Sequence, residues 1–391
     1  MKRNMNWIAL TFAAAIVVAA GCTSPKTSDV AVPKTDVVAQ AGVKPVKTGV
    51  YVSKGLSGGG AMEWMRLVKA SPELELTLVD SQSICAGALD NLDLLVMPGG
   101  SSPAIKRALG TNGAARVRNF IRNGGGYIGT CAGCCLMMEE APDPTRGLNV
   151  MPFYRSGSKG RFLMPIAVNA AGAAALGIKA DTYDVQYSHG PILEPSKTPI
   201  TGAKFEVWGT NRSDSGKHGT PPEMFGRAAI IGGTYGKGRV FVTSCHPEYY
   251  ESTRVIVRGA FRYVTGRDVT FPVRPRRERA YTVGVYAYYF LGMDTAKAFL
   301  ALDDDPYIDV IPLATEDIRK GALDHVDALL FPHMAKGSFG STTGSIVNRF
   351  LSRGGFALGW GGGLSSMPKS GVACKSGEEA VKMLKKKSRP D

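Results

Sequence analysis

A chain of 391 residues with 44% hydrophobic and 20% charged side chains has ample material for buried cores, which excludes disorder as its general state and makes two domains the natural division. Its formal charge of +14 includes Lys2 and Arg3 and is otherwise spread thinly, with clusters at 274–279 and 382–389. That pattern suits solubility and weak attraction to anionic lipid head groups, and it points away from nucleic acid as a partner.

At the amino end, Lys2-Arg3, an apolar run over 7–20 and then Gly21-Cys22 read as an export signal. The apolar run is shorter than the roughly 20 residues of a spanning helix. Val18-Ala19-Ala20-Gly21-Cys22 resembles a bacterial lipobox, which implies lipidation of Cys22; an uncleaved anchor and an ordinary signal peptide are the other forms such a segment takes. Residues 1–22 are therefore expected to be a lipoprotein signal peptide. Residues 23–47, rich in Ser, Thr, Pro, Lys and Val without periodicity, are expected to be a tether. Once Cys22 is set aside, Cys85, Cys131, Cys134, Cys135, Cys245 and Cys374 show no disulfide-framework spacing and read mostly as buried free thiols.

From residue 48 strands and helices alternate: a strand over 49–52, a glycine-rich loop to Gly60, a helix over 62–70 and a strand over 74–79. A strand over 92–97 follows and stops at Pro98-Gly99-Gly100. A helix over 114–122 then leads into a strand at Tyr127-Ile128. Such alternation predicts a parallel sheet covered by helices. After Met138 the pattern is less regular to about Gly226, with strands expected over 162–168 and 205–208. Runs 228–232 and 239–243 form a hairpin about Tyr235-Gly236-Lys237-Gly238, and a helix over 252–264 closes a domain spanning 48–264. Residues 265–280, with two prolines and a basic run, read as a linker. Residues 281–391 repeat the first domain in part: Val285-Tyr286 echoes Val50-Tyr51, Gly321-Ala322-Leu323-Asp324 echoes Gly87-Ala88-Leu89-Asp90, and 350–363 echoes 120–133. The repeat is expected to be non-catalytic, since Gly361 stands at the Cys131 position, His333-Met334 replaces Gly99-Gly100, and the chain is expected to end before any equivalent of His246.

The chemistry gathers at Gly129-Thr130-Cys131-Ala132-Gly133. A strand that runs into a glycine-flanked turn presents its central side chain at the start of a helix, where backbone N–H groups favour a thiolate or an oxyanion. Among the five histidines, His246 has the context of a base: His246-Pro247-Glu248 follows a strand, and residues two apart in extended chain point the same way. A cysteine, an imidazole to take its proton and a carboxylate to orient the imidazole make a nucleophilic triad. His189, within Tyr187-Ser188-His189-Gly190-Pro191, is a candidate pocket residue together with Tyr187. His218, His325 and His333 read as loop or surface residues.

Pro98-Gly99-Gly100, the turn at Cys131 and His246-Pro247-Glu248, in that order, resemble the class I glutamine amidotransferase superfamily. Within it the chain is most similar to the domain at the amino end of biotin–protein ligases, to which the Tyr-x-x-Gly-Pro element at 187–191 and the Gly236-Lys237-Gly238-Arg239 turn also correspond. The resemblance implies a flavodoxin-like α/β fold over 48–264, with a partial copy after it. It also implies Cys131 as nucleophile, His246 as general base and acid, Glu248 as orienting carboxylate, and the N–H groups of Gly100 and Ala132 as oxyanion donors. No cofactor and no metal are implied.

An exported lipoprotein stands outside the pool that feeds glutamine-dependent biosynthesis, so the expected activity is thiol-dependent hydrolysis of a small amide or peptide, with the membrane met through lipidated Cys22. Two other classes stay open: a non-catalytic binding or scaffold module of the cell envelope, and a thiol–disulfide redox protein using Cys131 and Cys134 as a C-x-x-C pair.

Overall fold

The computed structural model describes residues 44–389 except 54, 57, 141–144, 158–159, 215–223, 273–280, 287–291 and 333–339. The signal peptide with Cys22, most of the tether, the basic run 274–279, His218, His333 and Met334 therefore lie outside the described residues. No described helix is long and apolar enough to cross a membrane.

In chain order β1 (Val46–Tyr51), α1 (Gly58–Ala70), β2 (Leu74–Val79), α2 (Ser81–Cys85), β3 (Leu94–Met97), α3 (Ser102–Arg122), β4 (Gly126–Thr130) and α4 (Ala132–Met137) build the parallel half of the first sheet. β3 is buried at every position, as a central strand covered on both faces requires. The tether reading overlaps the fold by two residues, because Val46 and Lys47 already pair with Leu74 and Glu75. The helix expected over 114–122 is the second part of α3. Gly110, at φ 61° and ψ −171°, breaks α3 in two, and the Gly110-Thr111-Asn112-Gly113 stretch at that break hid the first part from the pattern.

The region expected to be irregular holds β5 (Phe153–Gly157), β6 (Arg161–Val168), α5 (Ala170–Leu176), β7 (Thr182–Ser188), β8 (Ile192–Pro195) and β9 (Ala203–Asn211). β10 (Ala228–Tyr235) and β11 (Gly238–Thr243) form the expected hairpin, and α6 (Arg254–Thr265) packs on the sheet through Ile256, Val257, Ala260, Phe261 and Val264. The path through the eleven-stranded sheet is β2-β1-β3-β4-β11-β10-β9-β6-β7, parallel as far as β11 and antiparallel beyond it. β6 and β9 contain the strands expected over 162–168 and 205–208, whereas β7 is only partly buried and mixes polar residues with apolar ones, so its signal is weak.

The expected linker is partly structure as well: Thr265 ends α6, Val269 and Phe271 are buried, and Thr270 Oγ1 donates to Glu73 Oε1 at 2.9 Å. Next come β12 (Tyr281–Tyr286), α7 (Met293–Asp303), β13 (Ile308–Leu313), α8 (Thr315–Arg319), β14 (Ala328–Phe331), α9 (Ser341–Ser352), β15 (Phe356–Gly359), β16 (Val372–Ala373) and α10 (Gly377–Lys387). Their sheet, β13-β12-β14-β15-β16, has the strand order and direction of β2-β1-β3-β4-β11. Small contacts recur too. The Lys47 N–H donates to Asp93 Oδ2 at 2.9 Å and the Thr282 N–H to Asp327 Oδ2 at 2.7 Å, while Gly125 and Gly355 each lie against a phenylalanine ring, Phe120 and Phe350.

One expectation is overturned here. The second sheet has a fifth strand: Leu358 pairs with Val372 as Ile128 pairs with Phe241. Counting on from that register, Gly377 takes the place of His246 and Glu379 that of Glu248. The equivalence was hidden because the long excursion between β4 and β11 shrinks to a short loop between β15 and β16. Glu379 has another task there, accepting from the Lys375 N–H at 2.6 Å as a cap of α10.

The two sheets belong to one compact body. α1 packs on α7 and β13, with Arg66 donating to Asp303 Oδ1 and to the carbonyl of Val310 and stacking over Phe299. Arg161 of β6 reaches Asp317 of α8 at 3.4 Å.

Candidate active site

Cys131 follows β4 directly and stands at the N-cap of α4, with φ 51° and ψ −102°, a backbone conformation that residues other than glycine rarely adopt. The sequence allows it through two close approaches. A Cβ on Gly129 would lie 2.7 Å from the carbonyl of Gly133, and one on Gly133 would lie 2.0 Å from the carbonyl oxygen of Met97. The turn therefore folds onto itself and onto the end of β3. Tyr127 locks it by donating from its hydroxyl to Gly133 O at 2.8 Å, and the Cys131 N–H donates to Thr243 O of β11 at 2.9 Å.

That same strand delivers the base. Beyond β11 the His246 N–H donates to Gln186 O at 2.8 Å, which aims the imidazole back toward β4. Nδ1 of His246 and Oε1 of Glu248 are 2.8 Å apart, and both residues are buried. Burial is the largest single influence and lowers the imidazole pKa, but the charge and hydrogen bonding of Glu248 and Cys131 together outweigh it, and the pKa rises to about 10. Gly99 marks where the ring and the thiol meet. A Cβ there would lie 2.5 Å from His246 Cε1, 3.3 Å from Nε2 and 3.2 Å from Cys131 Cβ, so no larger residue fits. The thiol also faces the carbonyl of Ser188, at 3.6 Å.

Two backbone amides stand at this crossing. Ala132 opens α4, so its N–H has no intrahelical acceptor. Gly100 bridges Leu56, and because that bridge is closed by Ser101 N–H to Gly55 O at 2.6 Å, the N–H of Gly100 is left outside it. Gly100 is at φ 153°, which suits glycine.

A family model described as the N-terminal domain of biotin–protein ligase matches residues 62–139. The pyridoxal 5′-phosphate synthase subunit PdxT of Pseudarthrobacter chlorophenolicus is 29% identical over 180 residues, covering 43% of this chain and 74% of that protein. PdxT of Corynebacterium jeikeium is 29% identical over 172 residues, covering 44% and 77%. The first domain is glutamine amidotransferase-like. Among solved structures, a putative ThuA-like protein from Bacteroides uniformis overlays 59% of this chain and 96% of its own, at 13% identity and a TM-score of 0.44.

The amidotransferase-like domain brings Cys131, His246, Glu248 and the amides of Gly100 and Ala132 to the carboxyl ends of the parallel strands, where open α/β sheets form their crevices. Tyr187 lies behind the turn that faces the thiol. It is fully buried, its ring 5.0 Å from that of Phe162 and its hydroxyl donating to Gly190 O, so it shapes the 188–190 turn. His189 is exposed at φ 54° on that turn, and it is the backbone of the turn, at Ser188, that meets the thiol.

Trp64, Thr130 and Gly60 of the amidotransferase-like domain were missed as site residues. Gly60 packs on the carboxylate of Glu248, and Thr130 donates to it. The place of Thr130 beside Cys131 was the one available signal. Cys134 is fully buried and its thiol is pushed well up, first by that burial and then by Cys135, Cys131 and Cys245. A thiol so placed is a poor partner in disulfide exchange, which weighs against the redox reading.

Proposed function

We propose that the chain is an exported lipoprotein whose first domain hydrolyses amides through a Cys131 thiolate. In the reaction inferred, the Cys131 proton passes first to Nε2 of His246, the resulting thiolate Sγ attacks the amide carbonyl carbon, and the N–H groups of Gly100 and Ala132 hold the oxyanion. The C–N bond then breaks, the imidazolium gives its proton to the leaving nitrogen, and a thioester remains. Water, deprotonated by the same imidazole, opens that thioester to a carboxylate and restores the thiol. Each oxyanion donor is worth about 3 kcal/mol in such a transition state.

The observation that carries this reading is the buried Nδ1–Oε1 contact of 2.8 Å, with the ring's far side against Cys131. The substrate class proposed is a γ-glutamyl or peptide amide of the cell envelope, reached from a membrane anchor at Cys22. A γ-glutamyl chloromethyl ketone tests it. Labelling that maps to Cys131 and is lost in His246→Ala supports the reading, and labelling indifferent to His246 contradicts it. A Cys22→Ala variant should leave the membrane fraction with its fold intact; continued tight association would contradict lipidation as the anchor.

A second reading, a non-catalytic envelope module, draws on the 6% exposure of Cys131. It requires that no acyl-thioester form on Cys131 with any amide tried.

A further inference from the structure

The hydrogen bonds behind His246 continue past Glu248. Oε1 of Glu248 also accepts from the Thr130 hydroxyl at 3.3 Å, and Thr130 Oγ1 accepts from the indole Nε1 of Trp64 at 3.3 Å. Trp64, Thr130, His246 and Glu248 are all buried. The direction of this chain is fixed by chemistry. An indole N–H can only donate, so it occupies a lone pair of the hydroxyl and leaves the hydroxyl proton for the carboxylate. One carboxylate oxygen then accepts from two sides, which fixes its plane, keeps the imidazole proton on Nδ1 and leaves Nε2 for the thiol.

Trp64 belongs to α1, and the first turn of α1 passes the same carboxylate: a Cβ on Gly60 would lie 3.1 Å from Glu248 Oε1. Two residues beyond Trp64, Arg66 ties α1 to the second copy. Its Nε and Nη2 donate to Asp303 Oδ1 at 3.2 and 3.0 Å, Nη2 also donates to Val310 O at 2.9 Å, and the guanidinium stacks 5.2 Å from the Phe299 ring centroid. The Asp303 carboxylate is itself buried, so α1 is anchored at a point where water does not compete.

We propose that Trp64 and Thr130 are positioning residues for the Glu248–His246 pair, and that the second copy sets their placement by clamping α1 through Asp303. The inference rests on the thiol reading given above and assigns the non-catalytic copy a part in it: it holds the helix from which the carboxylate is oriented.

The test uses full-length variants, with three readouts: the rate of Cys131 alkylation by iodoacetamide at pH 7, the titration of the His246 ring by NMR, and the melting temperature. Thr130→Val should slow alkylation about tenfold, as loss of a hydrogen bond to a charged group implies, and lower the His246 titration by about one unit; Trp64→Phe, which removes a hydrogen bond to the neutral Thr130 hydroxyl, should shift both the same way by about half as much on a logarithmic scale. Thr130→Ser should restore both. Asp303→Asn should slow alkylation about threefold with the same downward shift of His246, the smaller effect reflecting its distance from the carboxylate. If Thr130→Val and Trp64→Phe melt lower but leave the rate and the titration unchanged, their role is structural and the positioning claim is overturned. If Asp303→Asn alone is silent in rate and titration, the clamp is overturned. His246→Ala separates the two levels: unchanged alkylation there sinks the thiol reading itself, whereas a fall there beside unchanged Thr130 and Trp64 variants sinks this inference alone.

Discussion

The two sheets share a strand order, yet the first brings Cys131, His246 and Glu248 together and the second has glycines, Gly361 and Gly377, at the first two of those places. Gly361, at φ 55°, keeps the backbone twist of Cys131, at φ 51°, and Gly363 keeps the close approach of Gly133, with a Cβ that would fall 2.2 Å from Pro332 O. Gly377 takes the register position of His246, and Glu379, at that of Glu248, caps a helix instead. The turn geometry is thus a property of the fold, retained where no nucleophile stands. What separates the copies is the side chains on that turn and the long antiparallel excursion from β5 to β10, which supplies Gln186 and Ser188 to the first site and has no counterpart in the second.

That comparison can be broken most severely at the base. His246→Ala should slow Cys131 alkylation at neutral pH by about a hundredfold or more, as loss of a general base does. Gly361→Cys should give a thiol that reacts no faster than a free cysteine, because Gly377 holds the register position of His246. Fast alkylation at residue 361 would mean that the turn alone activates a thiol. Next in size, Gly133→Ala and Gly363→Ala should each destabilise by about 3 kcal/mol, measured by urea unfolding, because both force a Cβ into a carbonyl oxygen. A mild effect at Gly363 alone would mean that the second turn is looser than the first.

The pH dependence is a smaller effect and belongs to the first copy. The folded-state pKa of His246, raised to about 10, lies above its unfolded value near 6.5, so its contribution to stability is complete below pH 6.5 and fades as pH rises toward 10. Melting temperature should fall over that window in the wild type and fall less in His246→Ala. Smallest of all, Gly361→Ala should destabilise by about 1 kcal/mol through its positive φ, without touching Cys131 reactivity.

Much of the first site was legible because its constraints are local. Gly129, Cys131 and Gly133 stand within one turn, and His246 and Glu248 on one stretch of extended chain, so spacing alone aligned them. Gly99 was legible as part of a turn but not as the residue that lets ring and thiol meet, a contact made across three strands. Thr130 and Trp64 could not be read. They are 66 residues apart, and a buried threonine next to a nucleophile looks like any strand residue. β5, β7 and β8 were lost because strands that are only partly buried mix glycine and polar residues with few apolar ones. Strand β16, two residues long, carries no pattern at all, so the place of Gly377 had to come from register.

The most direct test of the central claim, that one thiol in this chain is set up for nucleophilic attack, is limiting alkylation by iodoacetamide at pH 7 with each cysteine quantified by peptide mapping. Cys131 should label first, although Cys85 is more exposed, and Cys134, Cys135 and Cys245 should label last, since burial pushes their thiols up, those of Cys135 and Cys245 to about 12. Labelling of Cys85 or Cys374 ahead of Cys131 would contradict the account.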